Sequence, residues 1–330
     1  MRLVQLYDRK RKRRLLGKVL EDRGAVLNVT ASLPALSSVV ACIRARWQNP
    51  DTDERIAGLG NAEVLEPDWT GEGRGDHLFL PPVDQPENPW ALQVFGAGVT
   101  HKRSAEARDA ETSAHWNRTM DFYEKMYRAG LEGGKPEGEA LGAKPEIFYK
   151  GNGHQVAPHG GALEAASLAR RLAPEPEVAA YFMPDPGGEP RLIGYSGGND
   201  FSDQGWEVEN PLYLFHAKVQ DRLAALGPVF VTADDPDFQK AEITVSCRIL
   251  REGVTVMDSG PLKTGEDHMA HSIDNLARHL FHHRAIREDE VRCLLLGTTA
   301  VFPETVKAGD VIEIRFDSGL GMLRNPVQPG

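Results

Sequence analysis

Apolar residues recur along this chain mainly in short blocks bounded by turn-forming residues, and only three stretches carry them at helical spacing. The first blocks, Leu3-Val4-Gln5-Leu6 and Leu15-Leu16-Gly17-Lys18-Val19-Leu20, read as two strands joined by a solvated hairpin tip, the basic run from Arg9 to Arg14. A helix is expected over residues 33–47, ended by Asn49-Pro50. Residues 66–88 are polar and rich in Gly and Pro, which suggests a linker or wrapping segment between a small N-terminal α+β domain (1–88) and a larger domain (89–330). The apolar strand Trp90-Ala91-Leu92-Gln93-Val94-Phe95 precedes a long helical pattern over 104–128 and a loop over 130–144. From Glu146 onward strands dominate, interrupted by one helix over 272–283. There is no internal repeat, and strands do not alternate with helices as in a doubly wound or barrel fold. Gly96-Ala97-Gly98 follows a strand but lacks the third glycine of a dinucleotide fingerprint. The expected class is α+β with a β-rich larger domain.

One strand carries candidate chemistry. In Pro174-Glu175-Pro176-Glu177-Val178-Ala179-Ala180-Tyr181-Phe182, Glu175 and Glu177 are two apart and share a face if the segment is extended. The turn Asp185-Pro186-Gly187-Gly188 and the run Leu192-Ile193-Gly194-Tyr195 return the chain antiparallel, carrying Asp200 back toward both glutamates. Three carboxylates with no sulfur or nitrogen ligand suit a hard divalent ion. Magnesium fits best, with manganese as the second choice.

Composition removes several function classes. The chain is 41% hydrophobic, enough for a sizeable core, and its net charge of −10 argues against a general nucleic-acid binder. No apolar run is long enough to cross a membrane, and the opening residues lack the apolar core of a signal peptide, so a cytoplasmic protein is expected. Cys42, Cys247 and Cys293 are too scattered for a disulfide framework or a zinc ribbon. His268, His271, His279, His282 and His283 cluster on or beside one expected helix, but their spacing gives no Glu-supported ligand pair. They read as surface or core histidines. Asn28-Val29-Thr30 would accept a glycan only in a secreted protein.

In order along the chain, Phe148-Tyr149-Lys150, Glu175-Pro176-Glu177, Gly198-Asn199-Asp200-Phe201-Ser202, Ala217-Lys218, Gly227-Pro228, Gly297-Thr298-Thr299 and Lys307-Ala308-Gly309-Asp310 resemble the fumarylacetoacetate hydrolase superfamily, as does the ending Gly319-Leu320-Gly321-Met322-Leu323-Arg324-Asn325-Pro326-Val327. The resemblance runs from residue 90 to 327. It implies a β-rich catalytic domain of mixed β-sandwich roll type, a magnesium or manganese ion on Glu175, Glu177 and Asp200, and a homodimer or higher homo-oligomer. Glu209-Asn210-Pro211-Leu212-Tyr213-Leu214 and Gly297-Thr298-Thr299-Ala300-Val301-Phe302-Pro303-Glu304 look like the branch that dehydrates 2-keto-3-deoxy sugar acids. The superfamily's C–C hydrolases activate water with a His and a Glu. Here Ser104 and Ala107 stand at those places, His101 replaces an aromatic residue, and Gln204 replaces an arginine.

The chemistry fits a 2-keto acid as the small-molecule partner. Chelated through carboxylate and keto oxygens, such an acid becomes acidic at C3, and the resulting enolate is stabilised by a cation such as Lys218. Loss of the C4 hydroxyl would then convert a 2-keto-3-deoxy-pentonate to 2,5-dioxopentanoate. Lys218, Lys150 and His101 are the candidate proton donors or acceptors; Thr298, Thr299 and Ser202 are the candidate substrate-binding hydroxyls. A hydrolase or decarboxylase of a β-dicarbonyl acid and a catalytically silent sugar-acid binding protein are the alternatives.

Overall fold

The strand Pro176–Pro184 is buried at every position, and its sequence of small and apolar residues with no solvent-facing alternation is that of a strand covered on both faces. Asp185 turns the chain: its carboxylate accepts from the Gly187 and Glu189 amides at 2.8 and 3.1 Å, and the strand Pro190–Asp200 returns antiparallel. This hairpin is the middle of a thirteen-stranded mixed sheet. On one flank the sheet continues through Val291–Leu295, Leu92–Gly98 and Glu146–Asn152. On the other it continues through Phe230–Thr232 to Arg2–Asp8, Arg13–Leu20, Ala25–Asn28 and Val64–Leu65. The computed structural model describes residues 1–20, 24–60, 62–282 and 284–330.

A six-stranded sheet stacks on the first. Its strand Ile243–Arg251 alternates buried and partly buried positions, so one face is apolar. Val245, Cys247 and Ile249 from that face join Val178, Ala180, Tyr195 and Leu294 of the large sheet in one core cluster. The opposite face of the large sheet is covered near its N-terminal flank by the helix Val39–Gln48, whose Val39, Val40, Cys42 and Ile43 pack with Tyr181 and Phe230. The protein is an α+β fold.

Several expected elements shift for local reasons. The helix expected over 33–47 begins at Val39, because the Ser38 hydroxyl caps it by accepting from the Ala41 amide at 3.1 Å. The long helix expected over 104–128 is two, Lys102–Trp116 and Phe122–Gly133, separated by Asn117 in a left-handed conformation at φ 48°. The linker contributes a strand, His77–Phe79, which pairs with Arg2–Asp8. Part of the basic tip is ion-paired locally: Lys10 pairs with Asp76 at 2.5 Å, Arg11 with Asp8 and Glu63, and Arg14 with Asp84 at 2.6 Å. No helix among the described residues is long and apolar enough to cross a membrane. His279 and His271 are engaged with the Gly142 carbonyl and Asn275; His283 lies outside the described residues.

Gly96 and Gly98 have a packing role. A Cβ on Gly96 would overlap the Phe148 ring, and one on Gly98 would overlap the Glu146 carboxylate, each directly across the ladder. These glycines let the neighbouring strand's side chains lie against the backbone.

Candidate active site

The central hairpin positions the carboxylates. Glu177 stands opposite Gly198 and Pro176 opposite Asn199; one residue further, the Asp200 amide donates to the Glu175 carbonyl at 2.9 Å. The ladder thus continues past the strand's first residue. Ligand oxygens of Glu175, Glu177 and Asp200 lie within 4.8 Å of one another, and all three residues are buried. Among the described residues no other group of three or more His, Cys, Asp or Glu side chains is so arranged.

Two lysines are bound into this cluster. Lys218 ends the short helix Leu214–Lys218, and its ammonium donates to both Glu175 oxygens and to Asp200 Oδ2 at 3.0 Å, and to Ser202 Oγ at 2.8 Å. Glu207 Oε1 is also 3.0 Å from it. Lys150, from the strand Glu146–Asn152, reaches the far side of Asp200 at 2.5 Å and donates to the Phe201 carbonyl at 2.7 Å. Glu177 is held instead by backbone: its Oε2 accepts the Gly297 amide at 2.7 Å. Gly297 is required there, since it adopts φ 92° and a Cβ would overlap the Thr100 hydroxyl.

Charge follows from these contacts. Burial, with Asp200 and Glu175 alongside, pushes the Glu177 carboxyl well above the ordinary carboxylate range. Glu175 is likewise raised by burial, the nearby Lys218 opposing. For Asp200, burial is outweighed by Lys150 and Lys218, and its carboxyl is held low. Burial disfavours the Lys218 charge, but Asp200, Glu175 and Glu207 overcome it and hold the ammonium protonated. Three clustered carboxylates, two of them strained by burial in the charged form, are a donor set that a hard divalent cation satisfies.

A cavity opens beside the cluster, lined by Glu175, Glu177, Lys218 and Thr298 on one side. Residues 104, 107, 108, 111 and 112 line its other side, one face of the helix Lys102–Trp116. Thr298 Oγ1 accepts from the Ala300 amide at 3.1 Å, which leaves its O–H to donate to a ligand. Ser202 is behind Lys218, and Lys150 is behind Asp200; neither lines the cavity. Thr299 does not line it either.

His101 is not brought to the site. Its ring nitrogens lie 2.9 Å from Thr100 Oγ1 and 3.1 Å from Thr264 Oγ1, and burial, reinforced by the nearby His268, drops its pKa to about 3. It is a neutral residue of the seam between helix and strand. Sequence reasoning missed two charged groups at the cavity, Arg108 and Glu207. Arg108 pairs with Glu146 at 2.9 Å and lies 3.6 Å from Glu207. Gln204, in contrast, donates to Glu175 Oε1 at 3.2 Å.

The family model described as "Fumarylacetoacetate (FAA) hydrolase C-terminal" matches residues 123–328, a span that contains all three clustered carboxylates and both lysines. The chain belongs to the fumarylacetoacetate hydrolase family. Within similar proteins, one of Haloferax volcanii named "Probable 2-keto-3-deoxyxylonate dehydratase" is 32% identical over 239 residues, 72% of each chain. The 2-dehydro-3-deoxy-D-arabinonate dehydratase of Saccharolobus solfataricus is 30% identical over 279 residues, 83% of this chain and 81% of that one. Among solved structures, a 2-keto-3-deoxy-D-arabinonate dehydratase complexed with magnesium and 2,5-dioxopentanoate superposes with a TM-score of 0.72 at 21% identity, covering 100% of this chain and 99% of that one. A fumarylacetoacetate hydrolase from Exiguobacterium antarcticum gives 0.64 at 19% identity, with both chains fully covered. These structural likenesses establish the family fold.

Proposed function

We propose that this protein is a magnesium-dependent dehydratase that converts a 2-keto-3-deoxy-pentonate to 2,5-dioxopentanoate. Glu175, Glu177 and Asp200 would hold the ion, with manganese as the alternative metal. When bound, the ion supplies Lewis-acid polarisation of a 2-keto acid and so acidifies C3. The Lys218 ammonium, held charged by its three carboxylates, stabilises negative charge developing on the substrate beside it. Thr298 donates to the substrate carboxylate. Lys150 and Ser202 are positioning residues, fixing Asp200 and Lys218. A cytoplasmic location and a homodimer or larger homo-oligomer are part of this proposal, the assembly resting on the family resemblance alone.

One observation favours elimination over hydrolysis. Ser104 and Ala107, which stand where the family's hydrolases carry a water-activating His and Glu, both line the cavity. The Ser104 hydroxyl is committed to the His101 carbonyl at 3.0 Å, and Ala107 has no polar atom, so neither position supplies the base that the family's hydrolases place there. The names borne by the two curated relatives agree with that reading. The purified protein with magnesium should form aldehyde from 2-keto-3-deoxy-arabinonate or 2-keto-3-deoxy-xylonate, followed with a coupled 2,5-dioxopentanoate dehydrogenase, and chelation should abolish it. Rapid pyruvate release from acetylpyruvate or oxaloacetate, with no aldehyde from either sugar acid, would instead establish a hydrolase or decarboxylase.

A further inference from the structure

Arg108 lines the cavity but has more hydrogen-bond capacity than its protein partners use. Its guanidinium stacks over the Tyr123 ring, 4.4 Å from the centroid, and Nη1 donates to Glu146 at 2.9 Å. Glu207 at 3.6 Å from Nη2 is beyond hydrogen-bond range, and Nε is buried without a partner. A guanidinium offers five N–H donors, and buried donors left unsatisfied are costly. The ring contact and the ion pair with Glu146 fix the plane of the fork. Among the described residues Nη2 has no acceptor within hydrogen-bond range, and an oxygen of a ligand in the cavity that Arg108 lines can supply one.

The position of Arg108 says which part of a ligand it meets. The carboxylate and keto end of a 2-keto acid belongs at Glu175, Glu177 and Asp200. Arg108 is displaced from them by two links, Glu207 and then Lys218, on the opposite helical wall with Ser104, Glu111 and Thr112. Charge says what kind of oxygen it takes. Glu146 and Glu207 already flank the guanidinium with two negative charges against its one, so a second anionic group on the ligand would be repelled, whereas a neutral hydroxyl would not.

We infer that Arg108 is a specificity-determining residue that donates to the terminal C5 hydroxyl of the substrate, selecting hydroxylated monoacids over 2-keto acids with an apolar or anionic far end. This rests on the dehydratase reading. A site built to hydrogen-bond a substrate hydroxyl discriminates against the analogue that lacks it, and losing a hydrogen bond to a charged donor costs roughly 10- to 100-fold.

The test is a substrate-and-mutant cycle with magnesium present. Wild type and Arg108→Met are each given the 2-keto-3-deoxy-pentonate, 4-hydroxy-2-oxopentanoate, in which C5 is a methyl, and 4-hydroxy-2-oxoglutarate, in which C5 is a carboxylate. Elimination from the methyl compound yields 2-oxopent-3-enoate, read by its conjugated absorbance. Wild type should show kcat/KM roughly 10- to 100-fold higher for the hydroxyl than for the methyl compound, and slower turnover still of the carboxylate compound. In Arg108→Met the hydroxyl and methyl compounds should converge to within about 3-fold. If Arg108→Met does not fold, Arg108→Lys, which keeps the charge but not the planar fork, is put through the same comparison. A variant that slows all compounds alike, or a wild type indifferent to the hydroxyl, overturns the inference while leaving the dehydratase intact. A wild type that dehydrates none of them overturns both, and no other outcome does.

Discussion

Lys218 is held by more carboxylates than a residue devoted only to the substrate would need. It touches Glu175, Asp200 and Glu207 at 3.0 Å, so it offsets their mutual repulsion as well as facing the cavity. Lys218→Met keeps the apolar stem and removes the charge, and turnover should fall by about 100-fold or more. The same change strands buried carboxylates, so unfolding free energy without magnesium should drop by about 3–5 kcal/mol. Saturating magnesium should restore a large part of that stability but not the turnover. Urea denaturation with and without magnesium, beside the kinetics, checks both; full activity in the variant would remove Lys218 from the chemistry. The glutamates and Asp200 are legible in the sequence as short patterns, which the Asp185-Pro186-Gly187-Gly188 turn brings together, whereas Lys218 is singled out only through the family resemblance of Ala217-Lys218. Arg108 and Glu207 gave no such signal. Arg108 reads as an ordinary charge on the expected helix and Glu207 as an ordinary acidic side chain, and only contacts across 38 and 99 residues, Arg108 to Glu146 and Arg108 to Glu207, reveal their place.

At the scale of elements, the site depends on how two helices meet. Asp109, buried in the first, accepts from the Tyr123 and Glu124 amides at 3.1 and 2.7 Å and so satisfies donors at the start of the second. This cap lies more than a dozen residues upstream of the helix it serves, and the periodicity over 104–128 therefore read as one continuous helix. The break is set by Asn117 and by the Ser113 hydroxyl, which accepts from the Met120 amide at 2.8 Å. Asp109→Ala should cost about 1–2 kcal/mol of stability, because two charge-assisted bonds are lost and a buried helix start is left open. Tyr123 supports Arg108, so the variant should also raise KM for the substrate while magnesium affinity stays unchanged. Titration calorimetry with magnesium and a denaturation curve separate these outcomes. An unaltered denaturation midpoint would show that the cap is dispensable.

Across the whole molecule, the cavity-lining side chains all come from residue 97 onward, yet the first strands are continuous with the same sheet. The strand Arg2–Asp8 pairs with Phe230–Thr232, and the Met1 ammonium is 2.6 Å from Asp235. A division of the chain at residue 88 therefore separates the chemistry but cuts through hydrogen-bonded strands. Buried histidines mark other long-range seams. His159 packs against Gly71 of the 66–88 segment and accepts from the Arg324 amide; His271 lies against Gly130 and Gly134; His101 joins Thr100 to Thr264. Burial lowers all three, His159 and His271 to about 4 and His101 to about 3, with His268 adding to His101, His279 and Lys135 to His271, and Asp68 opposing Arg324 at His159. Their folded pKa values lie below the unfolded value near 6.5, so the unfolded chain takes up protons first as pH falls. The stability they allow is complete above that value and is lost on acidification toward the folded values. Each should remove up to about 1.4 kcal/mol per pH unit, or about 2 kcal/mol between pH 6.5 and 5. His101→Gln, which keeps a polar side chain that cannot be protonated, should flatten the fall over that interval by about 2 kcal/mol. Urea denaturation of wild type and variant at pH 6.5 and 5 measures it directly, and an identical fall in both would mean that His101 is protonated in the folded protein.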